Sequence, residues 1–306
     1  MPCPTTIGDL APQALRSALA TGLRFRVGAF NIAACSALPT VAEGVAAVYP
    51  DYPVLAHDAF IDFAVKITAP FGVRAVLRPQ VQFLFDGYQP FKPLPQAQAF
   101  PLMEWGLNWC ASNHAHQYVI SHAAVVEKNG RALIMPGTPG SGKSTLCAAL
   151  IQRGWRLLSD ELTLTDPATG HVYPLPRPVS LKNQSIDVIR RFAPDTVFSA
   201  SAHDTLKGTV AHLRVPQSSI ARDTEPALPA WLVFPKYQAG AALALAPLSR
   251  GQAYMRLADN TFNYSVLGLT AFRTLSDLVQ RCDCYDFTYS ELDDAIQTFD
   301  ALADHP

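Results

Sequence analysis

Apolar and polar positions alternate in short blocks along this chain, and the blocks predict a mixed α/β protein. Residues 12–23, PQALRSALATGL, read as a short amphipathic helix, and LRFRVGAFNIAA (23–34) alternates as a strand does. TVAEGVAAVY (40–49) reads as a helix capped by Thr40. DFAVKITA, VRAVLRP and VQFLFDG read as strands, the last closing on an Asp-Gly turn. Four prolines then crowd into residues 85–101, FDGYQPFKPLPQAQAFP, which marks a boundary. Beyond it, MEWGLNWCASNHA is helical, and QYVISHAAVVEKNGRALIMPG reads as two strands joined at Asn129-Gly130, a pair suited to a type I′ hairpin. STLCAALIQRG is a helix ending at Gly154, and WRLLS is a short buried strand. LTLTD, PATG and HVYPL form a further hairpin, and SLKNQSIDVIRRF (180–192) is a helix. The last third combines the strand WLVFPKY with helices TAFRTLSDLVQRC and SELDDAIQTFDAL. The pattern predicts a small α+β domain over residues 1–95, a structural or partner-binding module, and an α/β domain over 96–306.

Composition narrows the class. The 306 residues are 49% hydrophobic and only 16% charged, with a net charge of −1. Such a chain lacks the basic face that a sequence-independent grip on nucleic acid needs. Its sparse surface charge favours self-association or partner binding. No apolar run approaches the roughly 18–20 residues of a membrane helix, and the first residues lack the pattern of a signal peptide. The six cysteines are scattered, without a C-x2-C pair. These features predict a cytoplasmic protein with reduced thiols that binds neither membrane nor nucleic acid.

One segment carries chemistry. Residues 137–144, GTPGSGKS, match G-x-x-x-x-G-K-[ST] between a predicted strand and a predicted helix. Glycines let a backbone wrap phosphate oxygens, and the amides of a helix N-terminus supply partial positive charge. The expected nucleotide ligands are Gly137, Thr138, Pro139, Gly140, Ser141, Gly142, Lys143, Ser144 and Thr145. Lys143 is expected on the β and γ phosphates and Ser144 on Mg²⁺. A second metal anchor should end a nearby strand, and Asp160-Glu161 follow RLLS seventeen residues after Lys143. Their side chains leave a strand in different directions, so one can serve the metal and the other a nucleophile. His122 opens the strand AAVV, fifteen residues before Gly137, and a folded hairpin brings it to the loop. His114 and His116 lack a nearby Cys or Glu partner for a metal site.

Residues 121–161, SHAAVVEKNGRALIMPGTPGSGKSTLCAALIQRGWRLLSDE, resemble the catalytic core of HPr kinase/phosphorylase and its relatives. The whole chain looks more like the HPr-kinase-related proteins of small peptide-modification operons, the kinase A type. The resemblance implies ATP and Mg²⁺ as cofactors, Asp160 as the base for a substrate serine, and His122 as the active-site histidine. Glu161 stands where the family has a second Asp, which implies a metal role. It also implies a homo-oligomer and an operon-encoded protein or peptide as phosphate acceptor. The family's Glu-Arg-Gly-Leu-Gly-like segment has no counterpart in 180–192, which offers Lys182 and no Glu, so phosphorylase activity is not expected. For the Arg that faces the transferring phosphate, Arg214 is the candidate and Arg177 the runner-up. A P-loop ATPase or nucleotide switch, and a small-molecule phosphotransferase, remain the alternative functions.

Overall fold

The structure is a computed structural model and describes residues 5–70, 78–138 and 140–304. Most of the expected strand VRAVLRP, together with Cys3 and Pro139, lies outside the described residues. In chain order, β1 (Leu23–Val27), β2 (Phe30–Cys35), β3 (Phe63–Thr68), β4 (Gln80–Phe85) and β5 (Leu94–Pro95) form one sheet in that spatial order. After the helix Ala99–His114 come β6 (Val119–Lys128), β7 (Arg131–Pro136), β8 (Arg156–Ser159), β9 (Leu162–Thr165) and β10 (Val172–Tyr173). Strands β11 (Val179–Lys182), β12 (Ala202–Thr205) and β13 (Gly208–Leu213) form a separate antiparallel sheet with β13 in the middle. Finally β14 (Leu228–Tyr237), β15 (Ala244–Pro247) and β16 (Asp283–Tyr289) complete a sheet of order β10-β9-β6-β7-β14-β16-β15, with β8 also paired to β6.

The chain divides into two compact units. The first comprises residues 1–111, 178–190 and 194–220, and the second 112–177, 191–193 and 221–306. This differs from a single cut at residue 95, and packing within the first unit explains why. The helix Ala99–His114 lies on the first sheet: Trp109 meets Phe85 with ring centroids 5.8 Å apart. Phe100 meets His212 of β13 edge-on at 5.3 Å, and Arg214 pairs with Asp51 at 2.7 Å. These contacts join segments far apart in sequence, which a Pro-rich boundary does not reveal.

Two local expectations are corrected. The segment SLKNQSIDVIRRF is not helical throughout: it begins as β11 and turns helical only at Gln184–Phe192. Its start, Ser180–Lys182, alternates in burial and pairs with β13 before the helix begins. The helix expected to be capped by Thr40 starts instead at Pro39, whose fixed φ and missing N–H suit a first helical position.

Within the second unit the hairpin behaves as its sequence predicts. Lys128 pairs with Arg131, and Asn129 and Gly130 both take positive φ (57° and 79°), as a type I′ turn requires. Strands β7, β14 and β16 run parallel, with β14 between the others. Parallel strands covered on both faces read as continuous apolar runs, and Leu133, Ile134, Trp231, Leu232 and Val233 are all buried. The carboxyl ends of these strands are Pro136, Tyr237 and Tyr289, and ligands of open α/β sheets bind outside such ends.

Glycine positions test the packing. A Cβ on Gly106 would stand 2.0 Å from the Phe83 ring, so helix and sheet meet there only because the side chain is absent. Gly106→Ala should cost about 1–3 kcal/mol, the usual range for forced overpacking. Gly251→Ala, on a helix where a Cβ meets nothing within 4 Å, should leave stability unchanged or raise it by about 0.4–1 kcal/mol. Urea denaturation of the two variants checks both; a Gly106→Ala protein as stable as the parent contradicts the packing described.

Candidate active site

The site is built around one stretch of β6. Ala123 pairs with Pro136, the last residue of β7, so His122 stands beside the point where the chain enters the 137–144 loop. On its other edge β6 pairs with β8 through Val125↔Ser159 and with β9 through His122↔Leu162. Asp160 and Glu161 occupy the break between β8 and β9. Register alone therefore brings the loop entrance, His122 and the acidic pair to one place.

The acidic corner has a definite cause. Ser159 Oγ accepts hydrogen bonds from the backbone N–H of Glu161 (3.3 Å) and of Leu162 (3.0 Å). A side chain bonding the backbone two and three residues on competes with the strand ladder and turns the chain. Asp160 is buried by this turn, and Glu161 is half-buried.

The loop is held from outside. Tyr237 N–H donates to Ser141 C=O at 2.9 Å, and Tyr289 O–H donates to Gly142 C=O at 3.0 Å. A trans peptide sets its C=O and the following N–H in opposite directions. With these two carbonyls turned toward the strand ends, the N–H groups of Gly142 and Lys143 are turned the other way. Gly142 takes φ 88°, and a Cβ there would stand 2.5 Å from Tyr289 Oη and 2.8 Å from Tyr237 Cβ. Glycine at 142 thus serves both the left-handed backbone and the close approach of the tyrosines. Tyr289 is buried, and burial, followed by the neighbouring Tyr237, pushes its phenol pKa well up, so it remains a neutral donor.

The helix Lys143–Ile151 begins at this point, with Gly142 as its N-cap and Ser144 and Thr145 in its first turn. Lys143 is buried at its start. One turn further, Cys147 is fully buried. Burial pushes its thiol pKa well up, Asp160 pushes it further, and Lys143 pulls it down. The Asp160 carboxylate and the Lys143 ammonium thus both lie within electrostatic range of one thiol.

His122 is half-buried; its backbone N–H donates to Asn260 C=O at 2.6 Å, and its ring lies 5.8 Å from that of Phe262. Arg177 belongs to the same unit and is buried. Arg214 belongs to the other unit, where its guanidinium holds Asp51 through two hydrogen bonds of 3.1 and 2.7 Å. His116 Nδ1 lies 3.5 Å from Asn263 Nδ2, and among the described residues no group of three or more His, Cys, Asp or Glu is placed to hold a metal.

The arrangement fits a phosphate ligand. Ser141 Oγ is buried and makes no hydrogen bond among the described residues, and a Cβ on Gly137 would stand 2.7 Å from it. A buried hydroxyl left so costs about 1–3 kcal/mol, which an anionic acceptor removes. The donor set suits Mg²⁺ as well: Ser144 and Glu161 offer hard oxygen ligands, and Mg²⁺ beside phosphates takes only one or two carboxylates.

Sequence reasoning named the loop, His122 and the acidic pair but missed Tyr237 and Tyr289. Their signal was present, since both apolar runs WLVFPKY and CYDFTY end in Tyr. It gains meaning only once those runs are known to be parallel neighbours of β7.

No family model matches the chain, and no curated protein matches it. Thirty chains of solved structures do. One is the HPr(Ser) kinase/phosphatase of Coxiella burnetii, with 11% identity and a TM-score of 0.28 over 61% of this chain and 95% of that one. A likeness at that level carries nothing about the residues of the site, which stand on their own geometry. Gly142 C=O accepts from Leu146 N–H at 2.9 Å as well as from Tyr289, and Tyr289→Phe removes the second donor while keeping the ring. It should weaken nucleotide binding roughly fivefold, the worth of a hydrogen bond of about 1 kcal/mol, with little change in melting temperature. Isothermal titration with MgATP measures this; unchanged affinity contradicts the holding role of Tyr289.

Proposed function

We propose that the chain is an ATP-dependent kinase that transfers the γ-phosphoryl group of ATP to a serine hydroxyl of a protein or peptide, the product of a neighbouring gene. The observation that carries this reading is the convergence on β6 of the 137–144 loop, His122 and Asp160-Glu161. A loop alone serves motors, switches and transferases equally. A buried carboxylate beside the loop, with a histidine at the loop's entrance, adds what a hydroxyl acceptor needs.

In this reading the inward amides of the loop and Lys143 offset the charge on the β and γ phosphates. Ser144 and Glu161 would hold Mg²⁺, which would supply further charge neutralisation on the phosphate oxygens. Asp160 accepts the proton of the serine hydroxyl as that oxygen attacks in line. The new bond joins serine oxygen to phosphorus, the bond to the β-phosphate oxygen breaks, and ADP leaves. His122 orients the acceptor. Arg214, which pairs with Asp51, is assigned no step in this reading. Phosphorolysis by inorganic phosphate, with pyrophosphate as product, is not part of the proposal, since residues 180–192 provide no Glu.

Asp160→Asn keeps size and hydrogen bonding but removes the base. It should lower phosphoserine formation by roughly 10²–10⁴-fold, the usual worth of a positioned base, while ATP still binds. Lys143→Ala should lose binding and transfer together. Both are checked by mass spectrometry of the polypeptides encoded beside the gene after incubation with MgATP. Full-rate release of free phosphate with no phosphorylated polypeptide, unaffected by Asp160→Asn, would identify an ATPase and overturn the assignment.

A further inference from the structure

Four exposed apolar side chains of the second unit fall in one short stretch whose first member, Phe262, meets the His122 ring. Phe262, Val266, Leu269 and Phe272 are 53%, 64%, 60% and 48% exposed, and they fall within eleven consecutive residues. Residues 260–272, NTFNYSVLGLTAF, include no Asp, Glu, Lys or Arg. The inner face of this region is well anchored: Ala271, Thr274, Leu275, Leu278 and Val279 of the helix Leu269–Arg281 are buried. Half-buried tyrosines join its parts, Tyr254 Oη lying 2.7 Å from Tyr264 Oη and the Tyr254 ring 5.6 Å from that of Phe272. An uncharged, exposed apolar surface on a firm base is the mark of an interaction site.

What it meets follows from where it is fastened. Asn260 C=O accepts from His122 N–H at 2.6 Å, and Phe262 N–H donates to Ile120 C=O at 2.8 Å. Asn263, itself buried, accepts from Ile120 N–H at 3.0 Å through Oδ1 and donates to Tyr118 C=O at 2.8 Å through Nδ2. Ser121 Oγ and Thr261 Oγ1 lie 2.8 Å apart. Residues 260–263 therefore form a strap along β6. Because strand amides alternate between edges, His122 N–H faces away from its partner strand β9. The strap thus runs along the edge that β7 leaves at Ala123. The patch begins with Phe262 against the His122 ring and leads away from the loop entrance.

We infer that this patch docks the phosphate acceptor, and that the acceptor is a polypeptide whose residues next to the target serine are apolar and uncharged. The inference rests on the kinase reading above and names its substrate class. A second copy of this chain is a poorer occupant, since a lasting interface on Phe262 would cover His122 and close the site. An acceptor that comes and goes uses the same surface and delivers its serine beside His122 and Asp160.

The test uses the full chain with MgATP and a synthetic peptide library bearing a fixed serine between degenerate positions. Phosphopeptides are sequenced by mass spectrometry. Leu, Ile, Val and Phe should be enriched beside the serine. The double variant Val266→Ser/Leu269→Ser changes two exposed side chains. It should lower kcat/KM on an apolar-flanked peptide roughly tenfold, in keeping with loss of two apolar contacts, while MgATP affinity by calorimetry stays as in the parent. Enrichment of acidic or basic flanks overturns the inference, as does unchanged kcat/KM in the variant. So does a parent dimer that light scattering shows to dissociate on the double substitution. If the parent binds MgATP but labels no library member and releases phosphate instead, the kinase reading itself fails, and the docking proposal with it.

Discussion

The candidate site depends on where two backbone carbonyls point. Ser141 C=O is held by the backbone of Tyr237, and Gly142 C=O by the phenol of Tyr289 together with the helix N–H of Leu146. Peptide planarity then commits the next two amides to the opposite side, at the mouth of a helix whose dipole adds to them. A phosphate cradle needs amides that do not have to reorganise when the anion arrives. Here the reorganisation is prevented by strand ends, and strands are among the stiffest anchors a protein offers. The same contacts explain why position 142 accepts no side chain.

The sheet makes that anchoring possible. Its parallel centre, β7, β14 and β16, aligns three carboxyl ends, so a loop leaving the first is flanked by residues ending the other two. The antiparallel side of the sheet does complementary work. β6 is long enough to pair with β7 on one edge and with both β8 and β9 on the other, and the gap between β8 and β9 falls at the acidic pair. Catalytic candidates distant in sequence are thus placed by strand register, with Ser159 shaping the gap through its hydroxyl.

Much of this was legible from the residues. Asn129-Gly130 dictates a tight hairpin, and that hairpin brings His122 to Gly137; both steps are local and the structure agrees with them. Gly137, Lys143 and Ser144 announce themselves by spacing. Tyr237 and Tyr289 were not legible as loop anchors, because their role depends on parallel pairing between strands more than fifty residues apart. The extent of the first unit was hidden for a similar reason. Residues 194–220 join it through such pairs as Arg214 with Asp51 and His212 with Phe100, which no local pattern announces. The strand at the start of 180–192 was obscured by the strongly amphipathic helix that follows it.

The central claim is that the amides of the 137–144 loop face a phosphate while Asp160 faces the group that receives it. A crystal structure with Mg²⁺ and a non-hydrolysable ATP analogue measures this directly. In that structure the Gly142 and Lys143 amides should donate to phosphate oxygens, Ser144 should bind Mg²⁺, and Asp160 should be directed at the γ-phosphoryl group. A nucleotide bound elsewhere, or Asp160 turned away from the γ-phosphoryl group with the loop occupied, would contradict the claim.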